Sequence, residues 1–193
     1  VTMANEKIQD FRGLVMQRQS VRKYSGQTVA REKIQKCIEA ARLAPSACNA
    51  QPWKFIVIDD PDVKDRVAGE TCGPLRSFNK FVPRAPVIIA LIIERSPVVP
   101  SLGSKIKAKP YHYIDMGIAA EHICLQAAEL GLGTCMLGWF NEKKIKAILK
   151  IPKKREIGLL ITLGYPESAY RQRKKIRKAM EEVMFFNAYD EKK

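Results

Sequence analysis

The sequence predicts an α+β domain in which helices pack around a mixed β-sheet. Stretches with apolar residues at helical spacing alternate with short β-branched runs along the chain. Several connections between these runs are too short for uniform parallel crossovers, which favours an α+β arrangement over a doubly wound fold. Hydrophobic residues make up 46% and charged residues 28% of the 193 residues, and no repeat or linker divides them. These proportions suit one packed domain spanning residues 1–193.

The first half of the chain contains two predicted amphipathic helices followed by two predicted strands. The second helix should end before Pro45, because proline disfavours helical geometry at the residue that precedes it. Residues 94–110 carry three prolines and show no period, so we expect a long loop there, and such loops often act as lids. The predicted elements are helices over 8–17 and 31–44 and strands over 54–59 and 86–93.

The second half of the chain is predicted to hold a long buried helix. Small residues in it, such as Gly117 and Ala120, would let a neighbouring helix approach closely, which makes it our candidate for a dimer interface. Asn141 is suited to cap a shorter helix. The predicted elements are helices over 113–130 and 141–149, strands over 134–137 and 157–163, and an extended arm over 180–187.

Composition disfavours several classes of protein. The longest apolar run covers only residues 87–93, against the ~20 residues that a membrane-spanning helix requires. Residues 1–12 lack the apolar stretch of a secretory signal, so we expect a cytoplasmic protein. The five cysteines form no C-x-x-C pair, and His112 and His122 lack ligand spacing, so we expect neither a disulfide framework nor a metal site. We expect His122 to be a hydrogen-bonded core or interface group rather than a catalyst.

The net charge is strongly positive. Lysine and arginine outnumber the acidic residues by 34 to 20, which gives a formal charge of +14 that attracts anions. Nucleic acid, phosphorylated cofactors and anionic substrates are equally consistent with this charge, although no recognisable nucleic-acid-binding motif accompanies it.

The segment Arg18-Gln-Ser-Val-Arg22 is the first candidate site. Alternate residues of an extended segment point to the same side, so Arg18, Ser20 and Arg22 would converge. Two guanidinium groups and a hydroxyl suit a phosphate, because arginine donates charge-assisted hydrogen bonds to phosphate oxygens. The alternative interpretation is a solvated basic loop.

The segment Pro45-Ser-Ala-Cys-Asn-Ala-Gln-Pro-Trp53 is the second candidate site. Its side-chain amides and hydroxyl would suit the polar edge of a planar heterocycle. The alternative is a turn whose amides bond to their own backbone and whose Trp53 anchors the core. Cys48 has no histidine neighbour in sequence, so we assign it no role.

A third segment, Gly131-Leu-Gly-Thr-Cys-Met-Leu-Gly-Trp139, carries glycines between a predicted helix and a predicted strand. A dinucleotide-binding glycine loop has the reverse order, strand before helix, so we reject that interpretation. We expect Gly131 to cap the helix C-terminus and Gly138 to let backbone donors approach a ligand closely.

Together these motifs resemble the FMN-dependent nitroreductase-like family. The matching patterns are R-x-S-x-R at 18–22, P-S-x-x-N-x-Q-P-W at 45–53, G-x-G-x-x-x-x-G-W at 131–139 and L-G-Y-P at 163–166. Their order and spacing match over about residues 8–187. The resemblance implies a central mixed, mainly antiparallel sheet surrounded by helices, in an intertwined homodimer with an exchanged C-terminal arm and two FMN sites between the subunits.

The resemblance also assigns residues to the FMN site. The first segment would hold the phosphate and ribityl chain, the second would come from the partner subunit, and the third would run over the flavin ring. The residues implied to bind the cofactor are Arg18, Gln19, Ser20, Arg22, Pro45, Ser46, Ala47, Asn49, Gln51, Leu137, Gly138, Trp139, Lys175 and Arg177.

Lys175 and Arg177 lie in the basic run 171–178, where the family has a phosphate-binding basic pair. Ala179 stands where the family commonly has proline. We expect the other basic side chains of the run to be solvated, namely Arg171, Arg173 and Lys174.

The implied activity is an FMN-dependent oxidoreductase that needs no catalytic side chain, because the flavin performs the chemistry. NADH or NADPH would reduce the flavin and leave, and a nitroaromatic, quinone or similar acceptor would then bind in the same place, in a ping-pong order. Relatives of the same fold catalyse reductive dehalogenation or oxygen-dependent flavin fragmentation, and these reactions stay open. A basic nucleic-acid-binding module is the alternative from another class.

Overall fold

The computed structural model describes residues 10–72, 79–94 and 110–190 and has an α+β fold. Four strands form one sheet in the order β1-β2-β4-β3, and each neighbouring pair is antiparallel. Within the described residues, the parallel pairing expected of a mixed sheet is limited to an isolated bridge between Ser20 and Thr134. The strands are β1 (Trp53–Ile58), β2 (Val87–Ile93), β3 (Gly133–Leu137) and β4 (Glu156–Gly164).

Five helices lie in the described part of the chain, and the ends of the predicted ones are shifted. The first helix begins only after Asp10, whose carboxylate accepts a hydrogen bond from the Gly13 amide at 2.6 Å and caps the helix. Residues 8 and 9 of that predicted helix, and residues 95–109 of the predicted loop, lie outside the described residues. The helices are α1 (Phe11–Gln17), α2 (Arg31–Arg42), α3 (Pro61–Gly69), α4 (Tyr111–Glu129) and α5 (Glu142–Ile148).

The sheet lies between two helical layers, because all residues of β2 are buried and alternate between its two faces. Ile89 and Leu91 pack with α2 and α4, through residues such as Ile123. Ile88 and Ala90 face α3 and α5 on the other side. The continuous apolar run is therefore explained by burial on both faces.

Candidate functional site

The segment at 18–22 lies along the edge strand β3. The Val21 amide donates to the Thr134 carbonyl at 2.8 Å, beside the bridge between Ser20 and Thr134. Gly133 permits this approach, since a Cβ there would lie 2.5 Å from Cγ2 of Val21. The sheet thereby fixes the backbone of the first candidate segment.

The basic C-terminal segment folds back onto residues 18–20. Gln19, which is 8% exposed, accepts hydrogen bonds from the amide and Nε of Arg173 at 3.2 and 3.3 Å. Arg173 also donates to the Ser20 carbonyl, and Nζ of Lys175 donates to the Arg18 carbonyl. The structure therefore brings together basic residues that are more than 150 positions apart in sequence.

The cluster of cations around Lys175 is crowded. Partial burial lowers the pKa of Lys175, and the guanidinium groups of Arg18, Arg177 and Arg173 lower it further. The Glu121 carboxylate of α4 opposes this shift and lies 3.2 Å from Nε of Arg18. Like charges held this close favour the binding of an anion between them.

Arg173 meets one sequence expectation only in part. It is exposed, as expected of a solvated side chain, but it also donates hydrogen bonds to Gln19 and to the Ser20 carbonyl. The signal was present in the sequence, because residues 173, 175 and 177 alternate and share one side of an extended segment.

The remaining basic side chains of that segment are exposed, namely Arg171, Lys174, Arg177 and Lys178. Arg177 also donates from Nη1 to the Ile176 carbonyl at 2.7 Å. Arg22 is exposed, and its positive charge opposes the rise that burial causes in the pKa of the Cys135 thiol on β3.

The loop between α2 and β1 carries the second candidate segment. Cys48, Asn49 and Gln51 have φ values of 52°, 51° and 45°, in the left-handed region that few residues other than glycine adopt. The Gln51 amide donates to Oγ of Ser46 at 2.9 Å, and its side chain donates to Oδ1 of Asn49 at 3.1 Å. Backbone strain of this kind clusters at functional sites.

A buried carboxylate of α4 holds the start of this loop. Asp115 is 4% exposed, and its Oδ1 accepts a hydrogen bond from the Ala47 amide at 3.1 Å. Trp53 is buried at the other end of the segment, so it anchors the core as the alternative interpretation expected. Pro45 and Asn49 are exposed, which leaves the outer surface of the loop accessible.

The third candidate segment follows β3. Gly131 has φ of 74° just after α4, the left-handed conformation that ends a helix, as expected. Leu137 is buried, Gly138 is exposed, and Trp139 is 67% exposed. Asn79 donates to the Trp139 carbonyl at 3.2 Å, so the backbone here is held while the indole faces outward.

Helix α4 supports two of the three segments. Glu121 lies near Arg18, and Asp115 holds the 45–53 loop. The two residues are six positions apart, which is about 9 Å along a helix.

A groove of about 550 Å³ between α2 and β1 contains none of the predicted site residues. It is lined by Arg31, Ile34, Gln35, Ile38, Glu39, Val57 and Asp59.

The histidine and cysteine side chains contribute no catalytic arrangement that we can identify in the described residues. Nδ1 of His122 lies 2.8 Å from the Ile118 carbonyl, so His122 is a hydrogen-bonded group as expected. Burial raises the pKa of Cys37 and of Cys124 to about 12, which keeps both thiols neutral.

The described part of the chain holds neither a metal-binding cluster nor a helix suited to span a membrane. Within residues 10–72, 79–94 and 110–190, no three histidine, cysteine or carboxylate side chains come together to hold a metal ion. Over the same residues, no helix has both the length and the apolar content needed to cross a membrane.

Known proteins share this sequence and fold. A relative from Archaeoglobus fulgidus, which carries the provisional name NADH dehydrogenase/NAD(P)H nitroreductase, is 34% identical over 160 residues, or 80% of this chain and 84% of the relative. Iodotyrosine deiodinase 1 of Sus scrofa is 29% identical over 198 residues, or 91% of this chain and 68% of that protein. The structure of an FMN-dependent nitroreductase from Clostridium difficile R20291 superposes with a TM-score of 0.74 at 29% identity, covering 93% of this chain and all of that one.

The family match covers most of the folded region. The model of the nitroreductase family matches residues 15–77 and 74–165, which include all four strands, helices α2 to α5 and the end of α1. The solved structure adds that the whole fold is shared, with the sheet and its helical layers. This chain therefore belongs to the nitroreductase family.

Proposed function

We propose that this protein is an FMN-dependent oxidoreductase that takes electrons from NADH or NADPH and reduces nitroaromatics, quinones or similar small acceptors. The observation that carries the proposal is the basic cluster of Arg18, Arg173, Lys175 and Arg177, together with the lowered pKa of Lys175. The printed names of family members support it, since they include an FMN-dependent nitroreductase and NAD(P)H nitroreductases.

The residues present fit the phosphate of FMN. An ammonium group has three donors, so Lys175 keeps two after donating to the Arg18 carbonyl. Nε of Arg18 faces Glu121, which leaves its terminal nitrogens to bind a phosphate in the forked geometry that guanidinium groups favour. A phosphate dianion would relieve the repulsion among these cations.

The remaining segments would bind and orient the cofactor. Bound FMN would supply the hydride and electron transfer, so the chain needs to provide only binding, orientation and electrostatics. The exposed Trp139 and the outer surface of the 45–53 loop offer an aromatic face and polar groups for a planar ring. Donor and acceptor would use the same open face in turn, which gives a ping-pong order.

The proposal includes a homodimer in which each FMN lies between subunits. Large apolar side chains are exposed on α1 and on α4, including Phe11, Met16 and Ile114. Exposed apolar side chains of this size on two helices would be covered in a dimer. The C-terminal arm is similarly exposed and would pack on the partner; its exposed apolar residues are Met180, Val183, Met184, Phe186 and Tyr189.

An FMN titration tests the phosphate assignment. Wild-type protein should purify with a flavin spectrum or acquire it with FMN, and riboflavin, which lacks the phosphate, should bind at least tenfold more weakly. Lys175→Met should weaken FMN binding by about 1.5–3 kcal/mol, the range for hydrogen bonds to charged groups, and should leave riboflavin binding unchanged. Lys178→Met is the matched control. Equal effects of both substitutions, or equal affinity for both flavins, would place the phosphate elsewhere.

A mixed dimer tests whether the site is shared. Arg22→Glu and Asn49→Ala should each inactivate the homodimer if the two segments bind one FMN. When the two variants are coexpressed with different tags, the heterodimer should recover one intact site and close to half of wild-type activity. A folded heterodimer without activity would mean that both segments come from the same subunit.

Reductive dehalogenation is the second candidate function, because a deiodinase aligns with 91% of this chain. The measurement is halide release from an iodinated tyrosine, compared with quinone reduction under the same donor concentration. Halide release at a rate above that of quinone reduction would reverse the order of the two candidates.

A further inference from the structure

Asp115 is a buried carboxylate on α4. It is 4% exposed, and its Oδ1 lies 3.1 Å from the Ala47 amide that donates to it. Burying an ionised carboxylate is costly unless it is hydrogen-bonded. The described contact thus links the long central helix to one particular loop.

That loop has a backbone that its sequence does not favour. The consecutive residues Cys48 and Asn49 are left-handed, and Gln51 is left-handed as well. None of them is glycine, and only Asn49 is of a type that adopts this conformation readily. Such a conformation persists only where surrounding contacts hold it. Ala47 begins the 3-10 turn Ala47–Asn49, so a hydrogen bond to its amide acts where the unusual backbone starts.

We propose that Asp115 is a positioning residue that holds the 45–51 loop in its cofactor-binding conformation before FMN arrives. The inference rests on the proposed function, because it takes this loop to be part of the FMN site. A preformed loop does not have to be ordered on binding, and that ordering cost would otherwise reduce the affinity. Asp115 acts through the loop and need not touch the cofactor.

The hydrogen-bond acceptor and the negative charge of Asp115 can be separated by substitution. Asp115→Asn keeps an oxygen at the same position and removes the charge, whereas Asp115→Ala removes both. Asp115→Leu fills the site with an apolar side chain and offers no acceptor, so it covers the case in which the alanine variant fails to fold.

The matched control is Lys64→Met. Lys64 is another buried charged residue, and its Nζ donates to the Pro83 carbonyl at 2.7 Å on the opposite face of the sheet. Its loss should lower stability by a mechanism of the same kind without touching the 45–51 loop. A general loss of stability would therefore appear in both variants, and a loss of positioning in only one.

The experiment measures two properties of each full-length variant. Hydrogen exchange of the peptide covering 45–52, on flavin-free protein, reports the order of the loop. An FMN titration reports affinity. For Asp115→Ala or Asp115→Leu we expect at least tenfold faster exchange in this peptide and at least tenfold weaker FMN binding, with both restored to within threefold of wild type in Asp115→Asn.

Three results would overturn the proposal. The first is FMN affinity within twofold of wild type in the variants that lack the acceptor. The second is unchanged exchange in the loop peptide, and the third is an equal loss in Lys64→Met. Failure of the wild type to bind FMN would count against the proposed function instead, and the exchange data would still decide whether Asp115 holds the loop.

Discussion

Gly133 offers a direct test of how the first site segment is held. An alanine there would place its Cβ 2.5 Å from Cγ2 and 2.7 Å from Cβ of Val21. Because a β-branched side chain is stiff and its Cβ is attached to the backbone, relief requires the 20–22 backbone to move. The neighbouring cavity of about 10 Å³ is about large enough for one water molecule and gives little room.

The expected loss of stability follows from two opposing effects. Overpacking a filled site costs ~1–3 kcal/mol, and removing a glycine from a strand returns about 0.5–1 kcal/mol. The middle values of these ranges differ by about 1 kcal/mol, so we expect Gly133→Ala to lower the free energy of unfolding by about that amount. FMN binding should weaken too, because the displaced backbone carries Arg22 and lies two residues from Arg18 of the proposed phosphate site.

Urea unfolding and an FMN titration measure these two effects. Gly158→Ala is the control, since a Cβ at that position meets Cε of Met116 at 3.3 Å and Cδ1 of Ile93 at 3.4 Å, the ends of side chains that can adjust. We expect the control to be close to wild type in both measurements. The reasoning is refuted if Gly133→Ala also matches wild type in stability and in affinity.

Three further predictions concern other parts of the molecule. Arg173→Ala should weaken FMN binding more than Arg171→Ala does, because only the former removes the side-chain hydrogen bonds to residues 19 and 20. Equal FMN affinities of the two variants in a titration would contradict this. Under reducing conditions, stability should fall between pH 8 and pH 10 by about 1.4 kcal/mol for each of Cys37 and Cys124. Burial raises their pKa from 9.0 to about 12, so thiolates form at these pH values only in the unfolded chain. In urea unfolding, the free energy of unfolding should fall less between these pH values in Cys124→Ala than in the wild type. A pH profile identical to that of the wild type would count against the prediction. Initial rates with a nicotinamide donor and a quinone should give parallel lines, whereas intersecting lines would mean that both substrates bind together.

The strands could be predicted closely because their signals are local. The run at 86–93 is apolar and β-branched and ends at clear breakers, and β2 (Val87–Ile93) differs from it by one residue. The ends of the helices were harder to predict, because individual capping residues determine where a helix begins and ends. Asp10 begins α1 later than periodicity suggested, and α3, which Asp60 caps, was not among the predicted helices.

The site could be predicted as a set of segments but not as a set of contacts. The motifs located the phosphate-binding candidates, and the alternation of residues 173, 175 and 177 places them on one side. The bond from Arg173 to Gln19, however, joins residues 154 positions apart, and no local pattern identifies Gln19 as the partner. The left-handed backbone at Cys48 and Gln51 was also hidden, because propensity assigns that conformation mainly to glycine and asparagine. No pattern in the sequence shows the contact between Asp115 and the Ala47 amide at the start of this loop.

Because the basic segment returns to residues 18–20, the two parts of the cation cluster are synthesised at very different times. Sheet and helices are complete once β4 ends at Gly164, whereas Lys175 reaches Arg18 only after the chain has grown past that point. A nascent chain would therefore close its core first and acquire its cation cluster last. Proteolytic cleavage between Gly164 and Lys175 would then abolish anion binding and leave the core folded. The C-terminal segment therefore supplies part of the site without being needed for the core.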